Sequence, residues 1–427
     1  MTRTADMPRI VDVVVTPIAF RDPPLLSAAG VHEPWCLRSI IEITIEGGIV
    51  GLGETYGDAL ILTYLRAAAE RLVGKPAFDL QTIRKTVDEA IAAVDQPGSE
   101  SSPRTAKITL APRLFAPFEV AALDALGKHS GLRVCDLLGG AVRSEVAFSA
   151  YLFYKYDRHS YAADTHEDGW GEALTPEGIV EQARRMAGDY GFTSLKLKGG
   201  VFEPEAEIEA IRALRQAFPT APLRIDPNGA WHVHTTLRLL PAMEDLLEYL
   251  EDPTLGIAGM AVVQQATSLP LATNMCVVAF THLPQAIEAG AVKVVLADHH
   301  FWGGLTATRE LGRICETWGL GLSMHSNSHL GISLMAMAHV AAATPNLTYA
   351  CDTHYPWEQD EVIAGGRVLF ERGCVRLPEA PGLGIELDRD ALARLHDNYL
   401  ACGFDKRDDA REMRKYRPDF VDIRPRY

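Results

Sequence analysis

Residues 194–200 read SLKLKGG and residues 222–229 read PLRIDPNG. In each stretch, a run of strand length rich in apolar residues ends on lysine, aspartate or asparagine. Five further stretches end in the same way: LEYLEDP (247–253), PLATN (270–274), VKVVLAD (292–298), GLGLSMHSN (319–327) and LTYACDTH (347–354). Polar side chains at the end of every strand indicate an active site at one edge of a parallel sheet, because a core would place apolar residues there.

The seven stretches recur at a nearly constant interval. Counted from Lys196 to Asp352 through one polar residue in each stretch, the steps are 30, 25, 23, 24, 27 and 27 residues. Each step is the length of one strand, one helix and two short loops, and an earlier strand, EVAFSAYLFY (145–154), opens the series. The repeat predicts an α/β fold with eight parallel strands closed into a (β/α)8 barrel. Because no long amphipathic run lies between Asp352 and Gly365, we expect a modified (β/α)7β barrel without its last helix.

The rest of the chain predicts a second domain, since 427 residues are too many for a barrel alone. Residues 9–54 carry strand patterns, and helical patterns follow at 58–73, 79–94 and 117–130. We expect an N-terminal α+β capping domain over residues 1–140, completed by residues 376–427, and a catalytic barrel over residues 141–375.

Composition excludes several function classes. A formal net charge of −15 argues against nucleic-acid and anionic-membrane partners, which require a basic stripe. No run of eighteen apolar residues and no charged-then-apolar leader is present, so we expect neither a membrane span nor export. Seven cysteines without a CxxC spacing are typical of free thiols in the cytoplasm.

Asp226, Glu251 and Asn274 end three successive predicted strands and offer only oxygen as a ligand. Hard oxygen ligands favour Mg²⁺ over zinc. The alternative is that each residue caps the helix that follows its strand. Three such residues in a row, beside two lysines, favour a metal site.

Lys196 and Lys198 share one face of the preceding strand, because side chains at i and i+2 point the same way. A second ammonium group and a bound cation both repel the positive charge of a lysine and lower its pKa. This favours the neutral amine that a general base requires. The alternative is that one lysine is a solvated charge at the barrel rim.

His325 and Asp298 end adjacent predicted strands, so a carboxylate–imidazole pair is natural there. The carboxylate would fix the imidazole tautomer. A lone histidine in an apolar run is more often a packed residue, but the pairing favours a catalytic role.

Two short motif matches are discounted. GLGE (51–54) resembles half of a dinucleotide-binding fingerprint but lacks the third glycine and the βαβ context, so we interpret it as a turn. His325 and His329 have the spacing of a helical zinc site, but no glutamate lies between them.

With these residues in hand, the chain resembles the enolase superfamily, and within it the glucarate dehydratase branch of acid-sugar dehydratases. The motifs that carry the resemblance follow one another along the chain: KLKGG, DPNGAW, EDP, ATNM, LADHHFWG, HSNSH and DTHY. The resemblance implies a capped barrel and Mg²⁺ held by Asp226, Glu251 and Asn274. It also implies two acid/base catalysts, Lys198 and His325, with Asp298 behind the histidine. The substrate contacts that it implies are His32, Thr105, Tyr151, Lys196, Asn228, Ser326, Asn327, His354 and Arg407.

The activity implied by the resemblance is that of a carbon–oxygen lyase. Such an enzyme dehydrates D-glucarate, or L-idarate, to 5-dehydro-4-deoxy-D-glucarate by α-proton abstraction and β-hydroxyl elimination. Three alternatives stay open: a dehydratase for another acid sugar such as galactarate, an acid-sugar racemase or epimerase, and a non-catalytic sugar-acid-binding relative. Departures from the family pattern at Ser27, Met324 and Ser328 bear on which diacid is accepted. We expect the ligand to be a small-molecule dicarboxylate sugar acid. We also expect the chain to form a homo-oligomer.

Overall fold

The computed structural model of the chain describes residues 7–94, 107–160 and 167–427. Its N-terminal part contains five strands: β1 (Ile10–Arg21), β2 (Leu26–Ser27), β3 (Gly30–Val31), β4 (Trp35–Ile45) and β5 (Val50–Tyr56). β1, β4 and β5 form an antiparallel sheet with β4 in the centre. β2 and β3 form a short hairpin, and Leu26 N donates to Tyr154 O at 2.8 Å, which ties this hairpin to the segment 145–154.

In the part of the chain that the structure describes, four helices follow this sheet: α1 (Ala59–Leu72), α2 (Leu80–Val94), α3 (Lys107–Ser130) and α4 (Val134–Leu137). The predicted start of the third helix, residue 117, is wrong, because α3 begins at Lys107 and continues through Pro112 and Pro117. Phe115 and Phe118 are buried on this stretch. Their burial stabilises the helix more than the missing proline N–H groups weaken it.

The interpretation of GLGE (51–54) as a turn is also wrong, because these residues lie inside β5. α3 crosses the strand so closely that a Cβ atom on Gly51 would lie 1.9 Å from the Ala121 carbonyl oxygen, and one on Gly53 would lie 2.2 Å from that of Pro117. Glycine is needed here for the close approach of two backbones, and the local sequence pattern carries no sign of that contact.

Eight parallel strands form the barrel: β6 (Glu145–Phe153), β7 (Ser194–Lys198), β8 (Leu223–Asp226), β9 (Tyr249–Glu251), β10 (Leu271–Thr273), β11 (Val294–Ala297), β12 (Gly321–Met324) and β13 (Cys351–Thr353). The sheet runs from β12 through β11, β10, β9, β8, β7 and β6 to β13. Ser323 Oγ donates to the Ala350 carbonyl at 2.8 Å, a bond from β12 to the residue before β13. The predicted eight-stranded barrel is therefore confirmed as a nearly closed sheet.

Within the described residues 145–160 and 167–353, eight α-helices lie between these strands: α5 (Pro176–Tyr190), α6 (Pro204–Ala217), α7 (Val233–Leu239), α8 (Gly256–Gln265), α9 (Leu283–Glu288), α10 (His299–Trp302), α11 (Leu305–Thr317) and α12 (Gly331–Ala342). Residues 354–373 contain one short 3₁₀ turn and no α-helix, and β14 (Cys374–Arg376) then pairs antiparallel with β6. The (β/α)7β prediction is confirmed. None of the described helices is both long and apolar enough to cross a membrane.

The C-terminal residues return to the N-terminal elements. α13 (Arg389–Ala401) packs on β1, and its first residue, Arg389, pairs with Glu42 of β4, with Nη1 at 2.8 Å from Oε1. α14 (Asp409–Met413) lies against β3. Elements from both ends of the chain thus cover the barrel, while the domain boundaries at residues 140 and 375 stay a prediction.

His339 joins three parts of the fold. All twelve residues of α12 are buried, and within this helix the imidazole of His339 accepts from Cys135 N and lies 3.2 Å from the Leu383 carbonyl oxygen. Burial lowers the pKa of His339 to about 4. The folded state therefore holds a neutral ring at a pH where the unfolded chain takes up a proton.

We expect His339→Gln to lower the free energy of unfolding at pH 7 by about 1–3 kcal/mol, because a buried donor or acceptor loses its partner. The stability that the neutral His339 ring contributes to the wild type is fully present above pH 6.5, the ordinary pKa of histidine. It is lost as the pH falls toward about 4, the pKa of His339 in the folded state. Between pH 7 and pH 5 the wild type should lose about 2 kcal/mol relative to the variant. Denaturant unfolding of both proteins at the two pH values measures this difference. The same difference in free energy of unfolding between wild type and variant at pH 7 and pH 5 would contradict the prediction.

Candidate active site

A cavity of about 450 Å³ opens at the carboxyl ends of the barrel strands. Lys198, Asn274 and His325 line it from the ends of β7, β10 and β12. His32 and Arg407 line it from the covering elements. The polar residues of several separate stretches therefore share one chamber, as their position at strand ends predicts.

Strand register places the predicted metal ligands next to one another. Lys198 lies opposite Asp226 in neighbouring strands. Asp226 and Glu251 are fully buried, and both face the Lys196 ammonium, at 3.8 and 2.6 Å. The Asn274 amide donates to Glu251 Oε1 at 2.7 Å, so this residue completes the group at the floor of the cavity.

The electrostatics of this group fit a divalent cation. Although burial acts in the opposite direction, Lys198 and Lys196 lower the pKa of Asp226 to about 2. Burial and then the charge of Asp226 raise the pKa of Glu251 well above its ordinary value. The two lysines therefore do not compensate all of the buried negative charge. Oxygen donors with excess negative charge match the preference of Mg²⁺, so the residues fit the predicted ion.

Asp252 fixes the loop that carries Asn274, a role that sequence reasoning missed. Its carboxylate accepts from Thr273 Oγ1 at 2.6 Å and from Asn274 N at 2.8 Å. Burial and then Asp226 raise the pKa of Asp252 to about 7. The sequence contained one signal for this role, since Asp252 is the second acidic residue of the EDP motif.

The two lysines have different surroundings. Lys196 Nζ lies 2.6 Å from both Glu251 Oε2 and Asp352 Oδ2, is fully buried, and does not line the cavity. Although burial lowers it, Asp352 and Glu251 raise the pKa of Lys196 well above its ordinary value. The expected mutual repulsion between ammonium groups therefore does not make Lys196 a neutral amine. Lys198 Nζ contacts Asp226 Oδ2 at 2.6 Å and borders the cavity, where a substrate can reach it.

His325 and Asp298 form the predicted pair. His325 Nδ1 lies 3.0 Å from Asp298 Oδ2, and Asn327 Nδ2 donates to the same oxygen at 3.2 Å. Although burial acts in the opposite direction, His300 and His325 lower the pKa of Asp298 well below its ordinary value. The carboxylate stays ionised and holds the Nδ1–H of His325, which leaves Nε2 for the cavity. β12 and β7 are three strands apart in one direction around the barrel and five in the other, so His325 and Lys198 approach from different sides.

Seven of the nine predicted substrate contacts line the cavity: His32, Tyr151, Asn228, Ser326, Asn327, His354 and Arg407. Tyr151 donates its hydroxyl to Asp226 Oδ2 at 3.3 Å. His32 Nδ1 lies 3.2 Å from each carboxylate oxygen of Asp22, and Arg407 Nε donates to Asp409 Oδ1 at 2.6 Å. Lys196 is withdrawn beneath the cavity, and Thr105 lies outside the described residues. The roles of all these residues stay predictions.

Arg113, Phe301 and Arg424 also line the cavity and were not among the predicted substrate contacts, although Phe301 lies in the LADHHFWG motif. The Arg113 guanidinium lies 4.3 Å from the centre of the Phe301 ring, and Arg424 donates to the Asn228 carbonyl at 3.4 Å. The arginine-rich C-terminal sequence was the available signal for Arg424. Of the three departures from the family pattern, Ser27 and Ser328 line the cavity, and Met324 does not.

Comparison with known proteins finds matches over both parts of the chain. Residues 10–139 match the mandelate racemase/muconate lactonizing enzyme N-terminal domain, and residues 178–391 match the enolase C-terminal domain-like family. A Streptomyces coelicolor protein named probable glucarate dehydratase is 49% identical over 421 residues, which cover 96% of this chain and 97% of that protein. An enolase from Pseudomonas fluorescens, crystallised with bound magnesium, potassium and tartrate, is 51% identical with a TM-score of 0.95 and covers 99% of this chain and 100% of its own. An enolase from Gibberella zeae, complexed with magnesium, formate and sulfate, is 50% identical with a TM-score of 0.94 over 99% of each chain.

The different surroundings of the lysines predict different costs of removing them. Lys196→Met leaves Glu251 and Asp352 without their shared cation, and breaking such a buried pair costs about 3–5 kcal/mol. Lys198→Met removes an ammonium that borders the cavity and leaves Asp226 with a second one, Lys196 Nζ at 3.8 Å, so the loss of stability should be smaller. Thermal and denaturant unfolding of both variants in EDTA measure this order. A larger loss for Lys198→Met would contradict the assignment of Lys196 as the structural counter-ion.

Proposed function

Because the chain belongs to the enolase superfamily, we propose that it is a Mg²⁺-dependent hydro-lyase that dehydrates a six-carbon dicarboxylic sugar acid. D-Glucarate is the proposed substrate, with L-idarate as an alternative epimer, and 5-dehydro-4-deoxy-D-glucarate is the proposed product. The identity of 49% to a probable glucarate dehydratase supports this substrate class.

One observation carries the proposal. Lys198 and His325 border the same cavity from different sides, with Asp298 behind His325 and the oxygen-only group of Asp226, Glu251 and Asn274 next to Lys198. Proton abstraction beside a carboxylate needs a base, an acid for the leaving group and stabilisation of the negative charge. The cavity provides a group for each need.

Asp226, Glu251 and Asn274 would hold Mg²⁺. Bound there, the ion would supply Lewis-acid stabilisation of the negative charge that develops on the substrate carboxylate. Lys196 contributes positive charge beneath this group and keeps Glu251 in place. Asp252 keeps the Asn274 loop in place through its two hydrogen bonds.

In the proposed reaction, the Lys198 amine takes the proton α to the carboxylate. The electron pair of that C–H bond forms a double bond as the bond between the β-carbon and its hydroxyl breaks. The imidazolium form of His325, whose Nδ1–H Asp298 holds, donates its Nε2 proton to the departing hydroxyl, which leaves as water, and the resulting enol tautomerises to the keto acid. Positioned acid and base groups of this kind contribute about 10²–10⁴-fold to the rate.

The far side of the cavity supports a diacid. His32, Arg407, Arg113 and Arg424 all line the chamber of a chain whose formal net charge is −15. Cationic groups concentrated in one cavity of an acidic protein favour an anionic ligand. A second carboxylate at the distal end of the substrate would meet this group.

We expect dehydration of D-glucarate to require Mg²⁺. Dialysis against EDTA should abolish keto-acid formation, and Mg²⁺ should restore it, because lysine and histidine alone do not stabilise the charge on the carboxylate. Keto-acid formation is measured with a panel of aldarates and aldonates that includes galactarate. Full activity in EDTA, or turnover of aldonates only, would contradict the proposal.

Exchange in D₂O separates the two catalysts. We expect His325→Asn to keep exchange of the α-proton that faces Lys198, to lose exchange from the opposite epimer, and to dehydrate slowly because the leaving hydroxyl has no acid. Lys198→Ala is the matched variant and should lose exchange from the other epimer. Proton NMR follows deuterium incorporation. If His325→Asn still exchanges both epimers, the two-catalyst mechanism has to be abandoned.

A further inference from the structure

A buried row of polar contacts continues behind the His325–Asp298 pair into the covering sheet. Asp298 Oδ1 lies 2.8 Å from His300 Nδ1, and His300 Nε2 lies 3.1 Å from Arg38 Nη2. Arg38 Nε donates to Glu54 Oε1 at 3.1 Å. His300, Arg38 and Glu54 are each at most 2% exposed. The row leads from α10 of the barrel to β4 and β5, and the dehydration mechanism proposed above does not use it.

The partners of His300 determine which of its ring nitrogens donates a hydrogen bond. Asp298 is ionised and can only accept, so Nδ1 must carry a proton. Arg38 can only donate, and the Ser333 hydroxyl, 3.0 Å from Nε2, can donate as well, so Nε2 offers its lone pair. A proton on Nε2 would also place two positive groups 3.1 Å apart. These contacts therefore place a proton on Nδ1 and turn the lone pair of Nε2 toward Arg38 and Ser333.

We propose that His300 is a positioning residue that holds the Asp298 carboxylate in one orientation and thereby fixes the tautomer of His325. This inference rests on the proposed function. Asp298 Oδ1 accepts from the backbone N and from Nδ1 of His300, and Oδ2 accepts from His325 and Asn327. With both oxygens assigned, the carboxylate does not rotate, and His325 keeps its Nε2 toward the cavity.

The surroundings of His300 oppose a metal site at this position. Asp298, His299 and His300 hold three possible ligand atoms within 4.8 Å of one another. Both His300 nitrogens already have partners, however, and the Arg38 guanidinium repels a cation. The other groups that face His300 are the Ser333 hydroxyl of α12, the ring of Tyr56 from β5, His299 in the same turn, and His329 before α12, while Glu54 lies behind Arg38.

The first experiment reads the tautomer in the wild-type chain. Histidine labelled with ¹⁵N in the ring reports protonation of each nitrogen by NMR, and loss of one signal in His300→Asn assigns His300 among the 14 histidines. We expect a proton on Nδ1 and none on Nε2 at pH 7. A ring protonated on Nε2, or on both nitrogens, would overturn the inference whatever the activity of the chain.

The second experiment compares two substitutions of one residue. Asparagine places its Nδ2 where His300 has Nδ1 and keeps the donor to Asp298, whereas phenylalanine fills the space without a donor. We expect His300→Phe to lower kcat for dehydration by about 10–100-fold with little change in KM, as for other partners that orient a functional histidine. His300→Asn should recover most of this loss, and the His325 signals in His300→Phe should show a second tautomer.

His339→Phe is the control for loss of a buried histidine, since His339 lies outside the cavity and should affect stability rather than kcat. Equal kcat values for His300→Asn and His300→Phe, both near wild type, would overturn the positioning role while the proposed function stands. A wild-type chain that dehydrates no sugar diacid would overturn the proposed function. The tautomer measurement would then still decide the state of His300.

Discussion

The residues at the barrel mouth depend on one interaction, the ion pairs of the Lys196 ammonium with Glu251 and Asp352, each at 2.6 Å. Each of these charges is fully buried, and a buried charge is tolerated only when it has a partner of opposite sign. Lys196 therefore holds Glu251 and Asp226 in position, and Asn274 is held in turn by its hydrogen bond to Glu251. Because Lys196 supplies this structural charge, Lys198, one layer higher on the same strand face, is left to act in the cavity.

The same principle recurs around the cavity, where imidazoles are held by carboxylates. Asp298 holds His325 and His300, and Asp22 holds His32 while Arg407 Nη1 lies 3.8 Å from the same carboxylate. A fixed partner determines which nitrogen of each ring faces the substrate. The basic groups of the cavity are thereby oriented before any ligand binds, which lowers the cost of ordering side chains on binding.

The covering elements complete the site as well as enclosing it. Arg38 and Glu54 come from β4 and β5, Arg113 from α3, and Arg407 and Arg424 from the C-terminal residues. Glu54 also accepts from Leu330 N and Ser333 N at the start of α12, each at 2.9 Å. Barrel and cover are therefore joined through buried hydrogen bonds close to His325, and substrate preference can change in the cover without changing the barrel residues.

The sequence by itself determined the barrel, the missing eighth helix and the group of Asp226, Glu251, Asn274, Lys198, Asp298 and His325 at its mouth. These follow from local periodicity, because a strand alternates its side chains and a βα repeat brings every strand end to one edge. Only the tertiary structure decided that Lys196 is a counter-ion, that Gly51 and Gly53 accommodate α3, and that Arg113 and Arg424 reach the cavity. Those facts depend on contacts between residues far apart in the chain, and local patterns carry no information about such contacts.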